Sequence, residues 1–332
     1  MHGIFASLGF LIARFASVAG LLVIFAAGIG VQAEPYPTRP VRLIVPFAAG
    51  GANDIVARLI APDLEKALGQ PIIIENKPAA TGIVGADLVA KATPDGYTLL
   101  MAFTTYTVNP AVNAKLPYDP ERDLAPVILI GKNPLLFIVN PKVPAKTLGE
   151  FVALARAKPG AFNYGTPGAA SQAHLLVALW SKLAGIEMQH IPYRGGAPAV
   201  LGTVAGEVQF TVMSPLASLA QINAGALRPL AVGGARRDPH FPDLPTVAES
   251  GFPGFEAVAW VGLFTTAGTP HEIIERLNAE VNRIIHTPAM AAKFDEQGLT
   301  PEGGTPAAFA AFVSQELRRW KDAASAAAIA PQ

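Results

Sequence analysis

The sequence predicts an α/β protein in two lobes joined by two crossing segments. From residue 41 onward a short apolar run, a glycine-bearing turn and a helical stretch recur in that order, the signature of parallel strands layered with helices. The pattern restarts after two apolar runs, residues 127–131 and 135–140. A chain of 332 residues, 51% hydrophobic and only 15% charged, has enough apolar material for two packed cores.

Residues 41–46 read as a first strand, buried on both faces. Gly50, Gly51, Ala52, Asn53 and Asp54 then turn the chain into a helix running to about Leu68. Ile55, Leu59 and Leu64 lie on its apolar positions, Asn53 or Asp54 is the expected N-cap, and Gly69 is the stop. Residues 71–75 form a second strand, 81–92 a second helix, and 97–103 a third strand ending at Thr104 and Thr105. The runs 127–131 and 135–140, split by Asn133-Pro134, form the crossing into the second lobe. There, residues 147–158 read as a helix stopped by Pro159-Gly160, Asn163-Tyr164 ends a strand, and 171–183 is a helix closed near Gly185. Residues 188–192 are a strand, 197–205 a helix, and 208–213 a strand leading through Ser214-Pro215 into another helix; 228–232 completes the sheet. Residues 256–266 cross back, Thr269-Pro270 starts a helix through Ile285, and the remainder reads as helical to Ala328. Two crossings make the first lobe discontinuous, residues 34–130 with 256–332, and leave 131–255 as the second lobe.

The N-terminus stands apart. After Arg14 an uncharged apolar run, residues 15–31, precedes Val31-Gln32-Ala33, which has small apolar residues where a signal peptidase needs them. Residues 1–33 are expected to be a cleaved signal peptide, with a retained membrane anchor as the alternative. Twenty-five basic residues balance twenty-five acidic ones, so no basic footprint points to nucleic acid. The chain has no cysteine, which excludes disulfides, zinc-thiolate sites and thiol nucleophiles.

In open α/β sheets, ligands bind at the carboxyl ends of strands, where the next helix presents unpaired N–H groups and the positive end of its dipole. Two turns rich in Gly and Ala qualify, residues 47–54 in the first lobe and 165–171 in the second; each is equally the form of a plain strand-to-helix connection. A carboxylate held there gains roughly 1.5–3 kcal/mol per charged hydrogen bond. Arg194, beside Gly195-Gly196, either meets a distal acid group or lies in a solvated loop, and Phe47 and Trp260 either pack on a ligand or belong to a core. Catalytic motifs are absent: the sequence contains no G-x-S-x-G, no G-x-x-x-x-G-K-[ST] and no H-E-x-x-H. Ser171 with His174 could be imagined as part of a hydrolytic triad, but a serine at a helix start is an N-cap far more often.

The chain resembles the Bug family, the extracytoplasmic solute receptors of tripartite tricarboxylate transporters, over residues 34–329. The resemblance is carried by Tyr36-Pro37-Thr38-Arg39-Pro40 with Ile44-Val45-Pro46-Phe47, Gly50-Gly51 with Asp54, and Pro94-Asp95-Gly96-Tyr97-Thr98-Leu99. It continues through Tyr164-Gly165 with His174-Leu175, His190-Ile191-Pro192-Tyr193-Arg194-Gly195, Leu230-Ala231-Val232, Pro245-Thr246-Val247-Ala248-Glu249, and Trp260 with Gly262. It implies a two-lobed type II periplasmic binding fold with a hinge of two crossing strands, and ligand carboxylates held mostly by backbone groups. Matched residue by residue, the ligand-binding positions are Phe47, Ala48, Ala49, Gly51, Asp54, Thr104 and Thr105 on the first lobe. On the second they are Gly168, Ala169 and Ser171, with the Met213-Ser214 turn as a weaker candidate. Ala48-Ala49 replaces frequent prolines, and Ala170 stands where glycine is common.

The expectation is a monomeric periplasmic solute-binding protein, not an enzyme, without cofactor or metal. It captures a small carboxylate and delivers it to membrane subunits of a tripartite tricarboxylate transporter. The rivals are a receptor feeding a membrane kinase and, from a different class, a secreted serine hydrolase using Ser171 or Ser214.

Overall fold

The structure is a computed structural model and describes residues 36–47, 49, 52–78, 82–193, 196–326, 328, 329 and 331. Residues 39–332 cluster as one unit. Within it, β1 (Val41–Val45), β2 (Ile72–Asn76) and β3 (Thr98–Phe103) pair in parallel, with β1 in the middle. Two antiparallel strands, β4 (Leu124–Pro134) and β10 (Val258–Thr266), extend this sheet, and the two-residue β11 (Thr300–Pro301) closes its edge in the order β11-β4-β10-β3-β1-β2. The second sheet has the order β7-β6-β8-β5-β9, from β5 (Leu136–Val139), β6 (Phe162–Thr166), β7 (Met188–Pro192), β8 (Phe210–Met213) and β9 (Arg228–Val232). In it β6 runs parallel to β7 and β8, whereas β5 is antiparallel to β8 and β9.

Helices cover both sheets. α1 (Ala52–Leu68), α2 (Ile83–Ala90) and α3 (Thr105–Val112) follow the first three strands; α4 (Leu148–Ala157), α5 (Gln172–Ala184), α6 (Gly196–Ala205) and α7 (Pro215–Asn223) accompany the second sheet; α8 (His271–Ile285), α9 (Pro288–Glu296) and α10 (Pro306–Ala326) end the chain. One core joins Ile44, Leu100, Trp260, Phe264 and Phe309, and another Phe137, Phe151, Trp180 and Phe210. α10 serves both. Its apolar positions recur at helical spacing, so that Phe309 and Val313 enter the first core while Trp320 and Ala323, further along the same stripe, enter the second.

The register fixes how the two sheets are joined. Val261 of β10 lies opposite Phe103, the last residue of β3, and Lys132 of β4 lies opposite Trp260. Both crossing strands therefore leave the first sheet at the carboxyl end of its parallel strands. Leu136, the first residue of β5, pairs with Met213, the last of β8, so the chain enters the second sheet at the carboxyl end of its parallel strands too. Between the sheets a backbone trio binds the crossings together: Gly233 donates to the Leu135 carbonyl at 2.7 Å, Ala257 to that of Gly233 at 2.8 Å, and Leu135 to that of Ala257 at 2.8 Å.

Several sequence expectations are corrected. The crossing into the second sheet is not two runs split at Asn133-Pro134: β4 continues through both residues and the switch occurs at Leu135. Asp54 is not the N-cap of the first helix, because the helix already starts at Ala52 and the carboxylate is engaged elsewhere; the Asn53 side chain lies outside the described part. The second helix covers residues 83–90 rather than 81–92, entered through Gly82 in a left-handed conformation. The stretch after Thr104 forms α3 despite Pro110, because Tyr106, Val108, Asn109 and Ala111 are buried. The C-terminal segment is not continuous helix: Thr287 caps α9 with Pro288 as its first residue, and β11 pairs with β4 before α10 begins.

Candidate functional site

Because both crossings sit at the carboxyl ends of the parallel strands, the turns after β1 and β3 and those after β6 and β8 share one side of the molecule. Two hydrogen bonds bring them together. The Trp260 N–H donates to Thr104 Oγ1 at 2.9 Å, and Gln172 Nε2 donates to the Val258 carbonyl at 2.7 Å. In a strand, residues two apart direct their backbone polar groups to the same edge, roughly 7 Å apart. The start of α3 from the first sheet and the start of α5 from the second are thus seated side by side on one edge of β10.

Both helix starts present donors. α3 opens at Thr105 with no side-chain cap, and α5 opens at Gln172 with Ser171 Oγ accepting the His174 N–H at 3.3 Å. Among the described residues, the N–H groups of Thr105 and Tyr106 in one turn, and of Ala169, Gln172 and Ala173 in the other, have no hydrogen-bond acceptor. These are the orphan donors of helix N-termini, at the positive end of each dipole. A carboxylate between them would accept from both sides.

The first-sheet loop is braced from below. Asp54 is only 1% exposed. Its Oδ2 accepts from Arg58 Nε at 2.7 Å and its Oδ1 from Asn76 Nδ2 at 2.9 Å. Asn76 Nδ2 also donates to the Phe47 carbonyl at 3.0 Å, so one amide at the end of β2 holds both ends of the loop. Asp54 is therefore a brace, with its oxygens committed to the protein. Phe47 is half-buried, its ring edge-on to Phe103 with centroids 5.5 Å apart, and Ala49 is exposed. Ala48, Gly51 and Arg194 lie outside the described residues.

On the second sheet, Gly168 and Ser171 are half-buried and Ala169 is exposed. The Gly168 carbonyl accepts from the Thr166 hydroxyl at 2.9 Å and the Ser171 N–H at 3.3 Å. Ala170 has φ +57°, the left-handed region that a side chain disfavours. Met213 is buried with Leu136 and Val200, and Ser214 caps α7 through the Ala217 N–H, so this neighbouring turn contributes a wall and a helix terminus. Trp260 lies in the first core against Phe309 and Phe312.

Residues that sequence reasoning missed support the turns. Asn76 and Gln172 carry no local signal, because both act on backbone far away in the chain. His174 and His190 stack with ring centroids 3.7 Å apart. The His174 ring accepts the Ala170 N–H at Nδ1, so this histidine is no base for Ser171, whose hydroxyl caps α5. A cavity of about 620 Å³ opens elsewhere, between α5, residues 251–256 and α10, and contains none of the expected site residues. Unpaired N–H donors in two turns anchored on one strand make these turns the better candidate. Among the described residues, no group of three or more His, Asp or Glu side chains is placed to hold a metal, and no helix is long and apolar enough to cross a membrane.

Residues 56–328 match the model of the tripartite tricarboxylate transporter family receptor. The chain belongs to that family. Among the receptor's relatives is BugT of Bordetella pertussis, 37% identical over 311 residues, covering 92% of this chain and 95% of BugT. Among solved structures, R. palustris Rpa4515 with adipate superposes with a TM-score of 0.77 at 36% identity, covering 90% of this chain and all of the other. MatC of Rhodopseudomonas palustris, with bound malate, gives 0.72 at 34% identity, covering 87% of this receptor and 99% of MatC. The two-sheet α/β architecture is that of these solute-binding proteins, and the family assignment is to receptors rather than to a catalytic class.

Proposed function

We propose that this receptor is a non-catalytic, periplasmic solute-binding protein, exported by a signal peptide cleaved after Ala33. In this reading it captures a small organic carboxylate between two lobes and delivers it to the membrane subunits of a tripartite tricarboxylate transporter. Lobe 1 comprises residues 34–130 and 256–332, lobe 2 residues 131–255, and the receptor acts as a monomer.

What supports this most is the shared edge of β10, where Thr104 takes the Trp260 N–H and Gln172 takes the Val258 carbonyl. A carboxylate there meets orphan N–H donors from both sheets. Three or four charged hydrogen bonds at roughly 1.5–3 kcal/mol each suffice to hold an acid without an arginine, with about 0.3–1 kcal/mol more from each helix terminus. The backbone trio at Leu135, Gly233 and Ala257 supplies the hinge. Bound adipate and malate, both dicarboxylates, in two relatives favour acids with two carboxylates.

The test is a thermal-shift and calorimetry screen of residues 34–332 against mono-, di- and tricarboxylates, acidic amino acids and aromatic acids. A ligand at about 100 times its Kd stabilises by about 2.7 kcal/mol. A saturable shift with one acid class, the acid being recovered unchanged, is expected. Absence of any shift with folded protein freed of co-purified ligand would overturn the carboxylate reading.

A further inference from the structure

The stacked histidines bear directly on the second-sheet turn. Thr166 Oγ1 lies 2.9 Å from the Gly168 carbonyl and 2.6 Å from His190 Nε2, so its hydroxyl links the histidine ring to the start of the turn. The Ala170 N–H donates to His174 Nδ1 at 3.1 Å, which requires that nitrogen to carry no proton. One ring thus reaches the start of the turn through Thr166 and the other its most strained residue, Ala170, with φ +57°. The rings lie 12° from parallel, at stacking distance, so each supports the other.

We propose that His174 and His190 are positioning residues of the ligand site, holding Gly168 to Ser171 in its donor-presenting shape through a contact that exists only while His174 is uncharged. This rests on the carboxylate-receptor reading. Protonating His174 at Nδ1 turns an acceptor into a donor facing another donor, and the left-handed Ala170 loses its anchor. The orphan N–H groups of Ala169, Gln172 and Ala173 then no longer share one target.

The surroundings keep the pair neutral. Burial lowers the proton affinity of His174, and burial together with the charge of His174 brings His190 down to about 4. From β6 the rings face Tyr164, whose phenol burial pushes well above its usual range. The neighbouring α6, β8 and β10 carry no ionisable side chain. Of the charged groups on flanking elements, Glu207 bonds Tyr193, Glu316 and Arg319 of α10 pair with each other, Arg156 of α4 binds the Ala184 carbonyl at the far end of α5, and Arg318, Lys321 and Asp322 of α10 are exposed. Lys182 lies two turns along α5.

The experiment compares wild type, His174→Phe and His174→Asn. The first keeps a flat ring on His190 without the acceptor; the second keeps an acceptor that does not titrate. In unliganded protein, Ala170 amide exchange is expected to rise about tenfold in His174→Phe and to stay within about threefold in His174→Asn. With adipate as probe, His174→Phe should bind about tenfold more weakly than wild type at pH 7.5, and His174→Asn, which restores the acceptor but not the ring, should recover most of that loss. As pH falls from 6.5, the unperturbed histidine value, wild-type affinity should drop relative to His174→Asn, a ratio that cancels the titration of adipate itself. Identical Ala170 exchange in wild type and His174→Phe, or parallel pH profiles for wild type and His174→Asn, would overturn the proposal. Should adipate fail to bind, that bears on the carboxylate reading, and the ligand-free Ala170 exchange still decides whether the pair holds the turn.

Discussion

The side-chain amide of Asn76 is hydrogen-bonded to Asp54 Oδ1 at 2.9 Å, joining the end of β2 to the first turn of α1 across 22 residues. Since the same nitrogen holds the Phe47 carbonyl, removing Asn76 unties both Phe47 and Asp54, and removing Asp54 leaves Asn76 with one of its two partners. Asp54→Ala and Asn76→Ala are each expected to destabilise by about 1–3 kcal/mol and to weaken ligand binding. In the double variant the losses should fall short of additive, because one network is broken. Urea denaturation and calorimetry check this, and unchanged affinity in both single variants would show that the loop is not an anchor.

Gly233 sits where no side chain fits. A Cβ there would lie 2.3 Å from the Ala257 carbonyl oxygen, the same oxygen that accepts the Leu135 N–H. Gly233→Ala must displace one crossing strand, at a cost of about 1–3 kcal/mol. A lowered urea midpoint and altered ligand affinity are expected, whereas Gly149→Ala, with open space around it inside α4, should leave affinity unchanged and raise the midpoint slightly if at all.

Ala170 points the other way. Its φ of +57° costs an L-residue about 1–2 kcal/mol, against about 0.5–1 kcal/mol of extra chain entropy for glycine. Ala170→Gly is therefore expected to stabilise by up to about 1 kcal/mol, read as a rise of a few degrees at most in Tm. A fall in Tm would mean that the alanine methyl makes contacts outweighing the strain.

Acid should weaken the fold in two successive windows. His190, about 4 when folded against 6.5 unperturbed, stays neutral in the native state while the unfolded chain takes up a proton, so stability declines as pH falls from about 6.5 to about 4. Glu75 is held near 2 by the Arg42 guanidinium at 2.6 Å, below its usual 4.5. Its contribution is complete above about 4.5 and is lost as pH falls towards 2. Urea midpoints against pH for wild type, His190→Gln and Arg42→Gln separate the windows: each variant should flatten its own and leave the other.

Most of the α/β alternation was legible, because strands such as Leu43-Ile44-Val45 and helices such as residues 148–157 combine local propensity with apolar periodicity and clear stops. α3 was not. No element is assigned from sequence after Thr104 and Thr105; the helix carries Pro110, and burial of Tyr106 and Val108 offsets its cost. The break before α9 was missed, although Thr287-Pro288, a cap followed by proline at the first helical position, marks it. β11 was missed too, since two residues carry no periodicity.

For the site, the Gly- and Ala-rich turns and their helix starts were visible from residue types, because backbone donors at a helix N-terminus depend on local chain geometry. Which turns meet was decided by the tertiary structure. Thr104 and Gln172 come side by side only because β10 returns antiparallel to β3 with Val261 opposite Phe103, and His174 reaches His190 only because α5 packs over paired β6 and β7. The sequence alone determined the layers, the strand ends and the chemical character of the turns, which rest on contacts between near neighbours. The meeting of the two turns on β10, the Asn76 brace and the stacked histidines rest on strand register, and register is set by the collective packing of residues far apart in the chain.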